Sequence, residues 1–219
     1  MEARKPDAFD QAVSEAVDQR TAEWHQQRLG KLTMSRAGDF MQKGRSKDVD
    51  YGVRAQDYIY EKVAEILTES PHMISSAATA WGTDFEAEAI FRYQELTGNK
   101  VKAAGFVEYI KGIAGGSPDG LIGTDGMLEV KCPYNPATHV KTLLENQITD
   151  DKHFMQVQGN LMVTERLWCD YVSYDPRVTE ESLQTVIIPF DRDVEVIRAI
   201  DQRIYQVWEK VQELIEKLK

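Results

Sequence analysis

The sequence predicts a mixed α/β domain in which helices flank a central sheet. Three observations carry this. Apolar residues recur at helical spacing near residues 53–67 and 194–218. Between residues 101 and 133 the pattern changes to short apolar runs broken by Gly and Pro. From there to residue 191, helical and strand-like segments interleave. With 219 residues, the chain suits one domain over residues 1–219.

Phe9, Val13, Ala16 and Val17 predict a short helix within the first twenty residues. The stretch EWHQQRLGKLTMS, 23–35, reads as irregular, ending at Thr33 and Ser35, either of which could cap the next helix. KGRSKDVDYG reads as a mobile polar loop. Val53, Ile59, Val63, Ile66 and Leu67 predict a long helix that stops before Pro71. ATAWGTDFEAEAIFRYQELTG predicts another, with Gly98 as its stop. VKAAGFVEYI, GIAGGSPDGLIG and MLEVKCP read as three strands, and the Asp125-Gly126 pair predicts a two-residue hairpin turn. Two helices follow, at THVKTLLEN and DKHFMQVQGNLMVT, then strands at LWCDYVSYD and LQTVIIPF. A final helix runs from about Val194 to Leu218, with a stripe through Val194, Ile197, Ile200, Ile204, Val207, Val211, Leu214 and Leu218.

Composition narrows the class. Hydrophobic residues make up 42% and charged residues 28%, and no apolar run is long enough to span a membrane. The N-terminal stretch lacks the apolar segment of a secretion signal. Cys132 and Cys169 show neither metal-ligand spacing nor a disulfide framework, so a reducing, cytoplasmic setting is expected. The net charge of -10 argues weakly against a polyanionic partner. The balance is uneven, however: residues 20–54 carry eight Lys and Arg against four Asp and Glu. Positive groups gathered along one channel could still hold DNA.

The chemistry centres on GGSPDGLIGTDGMLEVKCP, residues 115–133. Residues two apart on a strand share a face, so Glu129 and Lys131 project together while Val130 turns into a core. A hairpin brings Asp119 back towards Glu129. Two neighbouring carboxylates repel unless a hard divalent cation lies between them, and Mg²⁺ suits that place. A lysine beside them would orient or deprotonate a water for attack on a phosphodiester. The plainer reading is a hairpin with solvated charges, which leaves SPDG and the apolar Leu128 and Val130 unaccounted for.

Pro118-Asp119 followed by Glu129-Val130-Lys131 resembles the signature of the PD-(D/E)xK nucleases. EWHQQRLGKLTMS, KGRS (43–46), AWGTDFEAEA (80–89), SPDG with LEVKCP, MQVQ (155–158) and YDPR (174–177) stand in the order seen in phage lambda exonuclease and the wider YqaJ-like viral recombinase exonucleases. The resemblance covers residues 24–177. It implies a restriction-endonuclease-like core and a Mg²⁺-dependent enzyme, with Mn²⁺ as a substitute. Such an enzyme would digest linear double-stranded DNA from the 5′ end and leave a 3′ tail for a single-strand annealing protein. It also implies a homotrimeric ring and a phage or prophage origin in a bacterial cytoplasm.

By the same resemblance, Asp119, Glu129 and the Val130 carbonyl are metal ligands. Lys131 handles the water, and Glu86 is an additional acid. Arg28, Ser35 and Ser117 resemble a pocket for the 5′-phosphate, and Arg45 a DNA-contacting arm. Gln156 and Gln158 form the family's QxQ element. Two apart on a helix they diverge by roughly 200°, so one alone can face the site. Gln156 is the expected one, with Asn160 on its face. Trp24 and Trp81 read as core aromatics, and His25, His72, His139 and His153 as structural or surface residues. Two other functions stay open: an endonuclease of the same fold, and a non-catalytic DNA-end or protein-binding module. The intact Asp119, Glu129 and Lys131 set disfavours the module. A phosphate pocket disfavours the endonuclease, which needs no terminus.

Overall fold

The computed structural model describes residues 17–46, 49–71 and 76–219. The helix expected near the N-terminus falls largely outside them, as does His72. The described elements, in order, are α1 (Ala22–Arg28), β1 (Leu32–Thr33), a 3₁₀ turn (Met34–Arg36) and α2 (Ala37–Phe40). Next come α3 (Val53–Thr68), α4 (Ala77–Thr97), β2 (Val101–Lys102), β3 (Val107–Ile110), β4 (Ala114–Gly116), β5 (Gly120–Ile122) and β6 (Gly126–Lys131). The chain continues through α5 (Pro136–Glu145), α6 (Asp151–Thr164) and β7 (Trp168–Tyr174). A second 3₁₀ turn (Glu181–Leu183), β8 (Thr185–Asp191) and α7 (Val194–Leu218) complete it.

A five-stranded sheet, in the order β2-β5-β6-β7-β8, carries the centre of the fold. β6 and β7 run parallel, and the other neighbours antiparallel. A parallel pair needs a crossover, which α5 and α6 supply. Period-two alternation then sorts the side chains. Leu128, Val130 and Cys132 pack with Val172 and Tyr174 against Ala89 and Tyr93 of α4. Met127, Cys169 and Tyr171 face the other way, into the core shared with α3, α6 and α7. Buried on both faces, β6 offers no room for a charge unless partners come with it. Glu129 lies on the α6 side.

Several expectations change. EWHQQR is helical: Thr21 caps α1 by accepting the Trp24 N–H, and Glu23 sits in the first turn. Only Trp24 of that helix is buried, so apolar periodicity carried no signal. Thr33 stands at the N-cap of the 3₁₀ turn, but neither it nor Ser35 makes a side-chain capping bond; their hydroxyls lie 3.3 Å from each other instead. The three expected strands between 101 and 133 are five, divided between two sheets, because the chain leaves one sheet for the other at 103–106 and 117–119. β3 and β4 belong with β1 in a second sheet, order β1-β4-β3. The Asp125-Gly126 pair is not a two-residue turn. Ile122 pairs with Gly126 across a three-residue loop, and the left-handed residue is Gly123, at φ +53°. Gly126 is needed for another reason: a Cβ there would stand 2.3 Å from the Trp168 ring.

Other elements match their sequence signals. α4 stops at Gly98, which adopts φ +73°. α7 buries Ile197, Ile200, Ile204, Val207, Val211 and Ile215. Val194 and Leu218, expected in that stripe, stay exposed at the helix ends. The polar loop after α2, expected to be mobile, is instead tied down at its described residues. Gly44 N–H donates to the Val49 carbonyl, Gly52 N–H to the Gln42 carbonyl, and the buried Arg203 side chain to the Phe40 and Asp50 carbonyls.

Candidate active site

Strand pairing brings the two central carboxylates together. Gly120 stands opposite Leu128, so Asp119 and Glu129, each one step outside that pair, meet across the β5–β6 ladder. Asp119 Oδ2 accepts the Val130 N–H at 2.7 Å. Glu129 is 0% exposed. An ionised carboxylate there is costly unless donors surround it, and three do. Lys131 Nζ pairs with Oε1, Gln156 Nε2 donates to the same oxygen at 2.6 Å, and Asn160 Nδ2 donates to Oε2 at 3.2 Å.

Gln156 and Asn160 belong to a stripe on α6. With His153 they stand at i, i+3 and i+7, on one helical face. His153 Nδ1 lies 3.0 Å from the Tyr171 hydroxyl, and Tyr171 pairs in register with Glu129 on the neighbouring strand. The whole stripe therefore meets the β6–β7 face that carries Glu129. Gln158 points elsewhere: its amide bridges the Asp191 carbonyl and the Asp193 N–H. Asn160 also explains Gly116, because a Cβ there would stand 2.3 Å from Asn160 Oδ1.

The electrostatics record the crowding. Burial, then the Glu129 charge, pushes Asp119 well above the usual carboxylate range, and Glu86 adds to it. For Lys131, burial favours the neutral amine, but Glu129 and Asp119 outweigh it and hold the ammonium above its ordinary value. Burial, reinforced by the Lys131 charge, lowers His153 to about 4, so its imidazole is neutral at physiological pH. Glu86, on α4, is paired with Arg20.

A second cluster adjoins the first. β1 and β4 run parallel, with Thr33 opposite Gly115, so the residues two further on, Ser35 and Ser117, come out side by side. Arg28, at the end of α1, reaches both: Nη2 donates to Ser35 Oγ at 3.2 Å and Nη1 to Ser117 Oγ at 3.3 Å. Trp24 Nε1 donates to Ser117 Oγ at 3.1 Å, and the Arg28 guanidinium lies 4.0 Å over the Trp24 ring. Burial lowers Arg28 to about 10, which leaves it charged at neutral pH. No carboxylate among the described residues forms an ion pair with it. A half-buried cation flanked by two hydroxyls is a cradle for an anion. Ser117 is two residues from Asp119, so the cradle opens beside the carboxylates.

The sequence-named residues thus form one site, except Arg45. Arg45 sits exposed on the loop before α3, near Lys43, Ser46 and Arg203, and makes no hydrogen bond or ion pair among the described residues. Sequence reasoning missed three participants. His153, read as structural, carries a signal in its spacing to Gln156 and Asn160. Tyr171 and Arg20 carry none, since they arrive through strand register and a long-range ion pair.

The donor set suits a hard cation. Asp119, Glu129 and the Val130 carbonyl offer oxygen ligands only, and the two carboxylates crowd each other. No group of three or more His, Cys, Asp or Glu residues among the described residues forms a ready cage. Coordination completed by water is the habit of Mg²⁺ rather than of zinc.

Residues 23–167 match the YqaJ-like viral recombinase domain. The chain belongs to the YqaJ-like viral recombinase family. Among solved structures, it is similar to the alkaline exonuclease LHK-Exo of Laribacter hongkongensis. That match has 34% identity and a TM-score of 0.81, over 90% of this chain and 96% of that one. LHK-Exo in complex with dAMP gives 35% identity and a TM-score of 0.82, over 91% and 96%. A phage-related exonuclease from Haemophilus somnus 129PT shares the fold at 16% identity, with a TM-score of 0.71 over 86% and 96%. No curated protein matches the sequence. The YqaJ-like recombinase therefore has the α/β core of PD-(D/E)xK nucleases, and it belongs among exonucleases that serve recombination. No helix among its described residues is long and apolar enough to cross a membrane.

Proposed function

We propose that this YqaJ-like recombinase is a single-domain, divalent-cation-dependent exonuclease. It digests the 5′-ended strand of linear double-stranded DNA and leaves 3′ single-stranded tails for a single-strand annealing protein. The observation that carries this reading is the Arg28, Ser35 and Ser117 cradle two residues from Asp119. An enzyme that cuts internally has no use for a terminal-phosphate pocket, and a binding module has no use for the buried Glu129 with its three donors. LHK-Exo, to which the chain is similar, forms a complex with dAMP, and a deoxynucleotide ligand accords with this reading.

In this reading Asp119, Glu129 and the Val130 carbonyl would hold Mg²⁺, with Mn²⁺ as a substitute. The bound cation would polarise the phosphodiester and lower the pKa of a water. Lys131, on the Glu129 face, positions that water and stabilises charge on the phosphate. Gln156 and Asn160 fix the Glu129 carboxylate, and Glu86 adds a further acid. Arg28 binds the 5′-phosphate through its guanidinium, with Ser35 and Ser117 beside it, and so sets the scissile bond one nucleotide in from the end. Arg45 contacts the duplex. The setting is the cytoplasm of a bacterium carrying a phage or prophage.

The test uses linear and covalently closed duplexes with Mg²⁺. Digestion of the linear form alone, with 5′-mononucleotides released and Asp119→Asn inactive, is the expected result. Cutting of the closed circle would favour the endonuclease, and DNA binding without cleavage the module.

A further inference from the structure

Arg20 lies at the mouth of the site with a strained backbone. It adopts φ +70°, a left-handed conformation that a non-glycine residue keeps only where the surroundings enforce it. Here they do. The neighbouring Gln19 amide donates to the Ala104 carbonyl at 2.8 Å and to the Pro118 carbonyl at 2.9 Å, so the segment is clipped to the residue before Asp119. Thr21 begins α1 on the other side. The Arg20 guanidinium is thereby set on Glu86, with its side chain 42% exposed and that of Glu86 21% exposed.

Charge balance gives the contact a meaning. With the carboxyls ionised, as cation ligands must be, Asp119, Glu129 and Glu86 against Lys131 carry two unmatched negative charges, the charge of one divalent cation. Arg20 on Glu86 cancels one of them, so it competes with the cation. The competition ends if another anion draws Arg20 away, and a phosphate of incoming DNA is such an anion.

We propose that Arg20 exchanges partners. It pairs with Glu86 in the free enzyme and moves to a DNA phosphate when substrate arrives, so that DNA binding and divalent-cation binding strengthen each other. This rests on the reading of Asp119 and Glu129 as cation ligands in a DNA exonuclease. A merely structural surface pair would contribute little and would couple nothing.

The test measures Mn²⁺ binding by electron paramagnetic resonance, with and without a 5′-phosphorylated duplex whose terminal linkages are phosphorothioates that resist cleavage. For the wild type, DNA tightens Mn²⁺ binding by about fivefold or more, in the usual range of coupling between sites. Arg20→Gln binds Mn²⁺ more tightly than wild type without DNA and gains less when DNA is added. Arg20→Gly, which also relaxes the left-handed backbone, behaves the same way, and Arg20→Lys keeps the coupling. By reciprocity, duplex affinity in Arg20→Gly responds less to Mn²⁺ than in wild type. If Arg20→Gly matches wild type in Mn²⁺ affinity and in its response to DNA, the exchange is overturned. Wild-type protein that binds no Mn²⁺, or binds it equally after Asp119→Asn, overturns the cation site and the exchange with it. Mn²⁺ binding that is lost in Asp119→Asn but unchanged in Arg20→Gly overturns the exchange alone.

Discussion

Lys131 touches Glu129 but is not among the oxygens that would hold a cation, and the other donors to Glu129 remain when it is removed. Lys131→Ala is therefore expected to bind Mn²⁺ nearly as wild type while losing about 10²–10⁴ in rate, the usual worth of a positioned acid-base group. Calorimetry beside a nuclease assay checks this; an affinity that collapsed with the rate would make the lysine a structural prop. Arg28 has a different duty. Its charge-assisted contact with a terminal phosphate is worth about 1.5–3 kcal/mol, or roughly ten- to a hundredfold. Wild type should digest 5′-phosphorylated ends faster than 5′-hydroxyl ends by that factor, and Arg28→Ala should narrow the gap. Equal rates on both ends with wild type would remove the pocket from the mechanism.

At the scale of one element, α6 is a polar stripe laid on the β6–β7 face. His153 is its most revealing member for pH. Its folded pKa of about 4 lies below the ordinary imidazole value of 6.5, burial being the chief cause. Between those values the unfolded chain takes up a proton at this residue and the folded chain does not. Stability is then lost as pH falls from about 6.5 towards 4, by about 3 kcal/mol at most, and is unaffected above that window. His153→Gln keeps a polar partner for Tyr171 and removes the titration, so it should lose less stability than wild type between pH 7 and pH 5. Urea denaturation at both pH values measures this, and parallel losses in the two proteins would contradict it. In sequence, the stripe was half legible. Gln156 and Asn160 follow from helical spacing once Glu129 is suspected, whereas the role of His153 depends on Tyr171, which strand register delivers.

For the whole molecule, the net charge of -10 sets the problem. A strongly acidic chain holds a polyanion poorly on an open surface. A closed ring of three subunits would keep the enzyme on DNA by topology, with the basic excess of residues 20–54 facing the channel. Three-fold closure needs two unlike patches on each subunit. Light scattering should give a mass near three times 25.0 kDa. A monomer that still digests long tracts in one encounter would mean that processivity has another origin.

The sequence by itself determined the fold class and most helix boundaries, because their signals are local. Gly98 stops α4, the apolar stripe of α7 repeats along twenty-five residues, and Asp119, Glu129 and Lys131 stand at a spacing that a hairpin converts into proximity. Tertiary structure decided what depends on partners distant in the chain. The α1 helix hides its register because only Trp24 is buried, and Gly126, which reads as a turn residue, answers to the Trp168 ring instead. Division of residues 101–131 between two sheets follows from which strands find each other, a long-range matter that periodicity does not encode. The same holds for the site. Ser35 and Ser117 meet through parallel pairing of β1 with β4, Tyr171 stands beside Glu129 through the β6–β7 register, and Arg20 reaches Glu86 across sixty-six residues of chain. Local interactions repeat in the sequence and can be read there. Contacts made by packing distant segments exist only once the core has placed them.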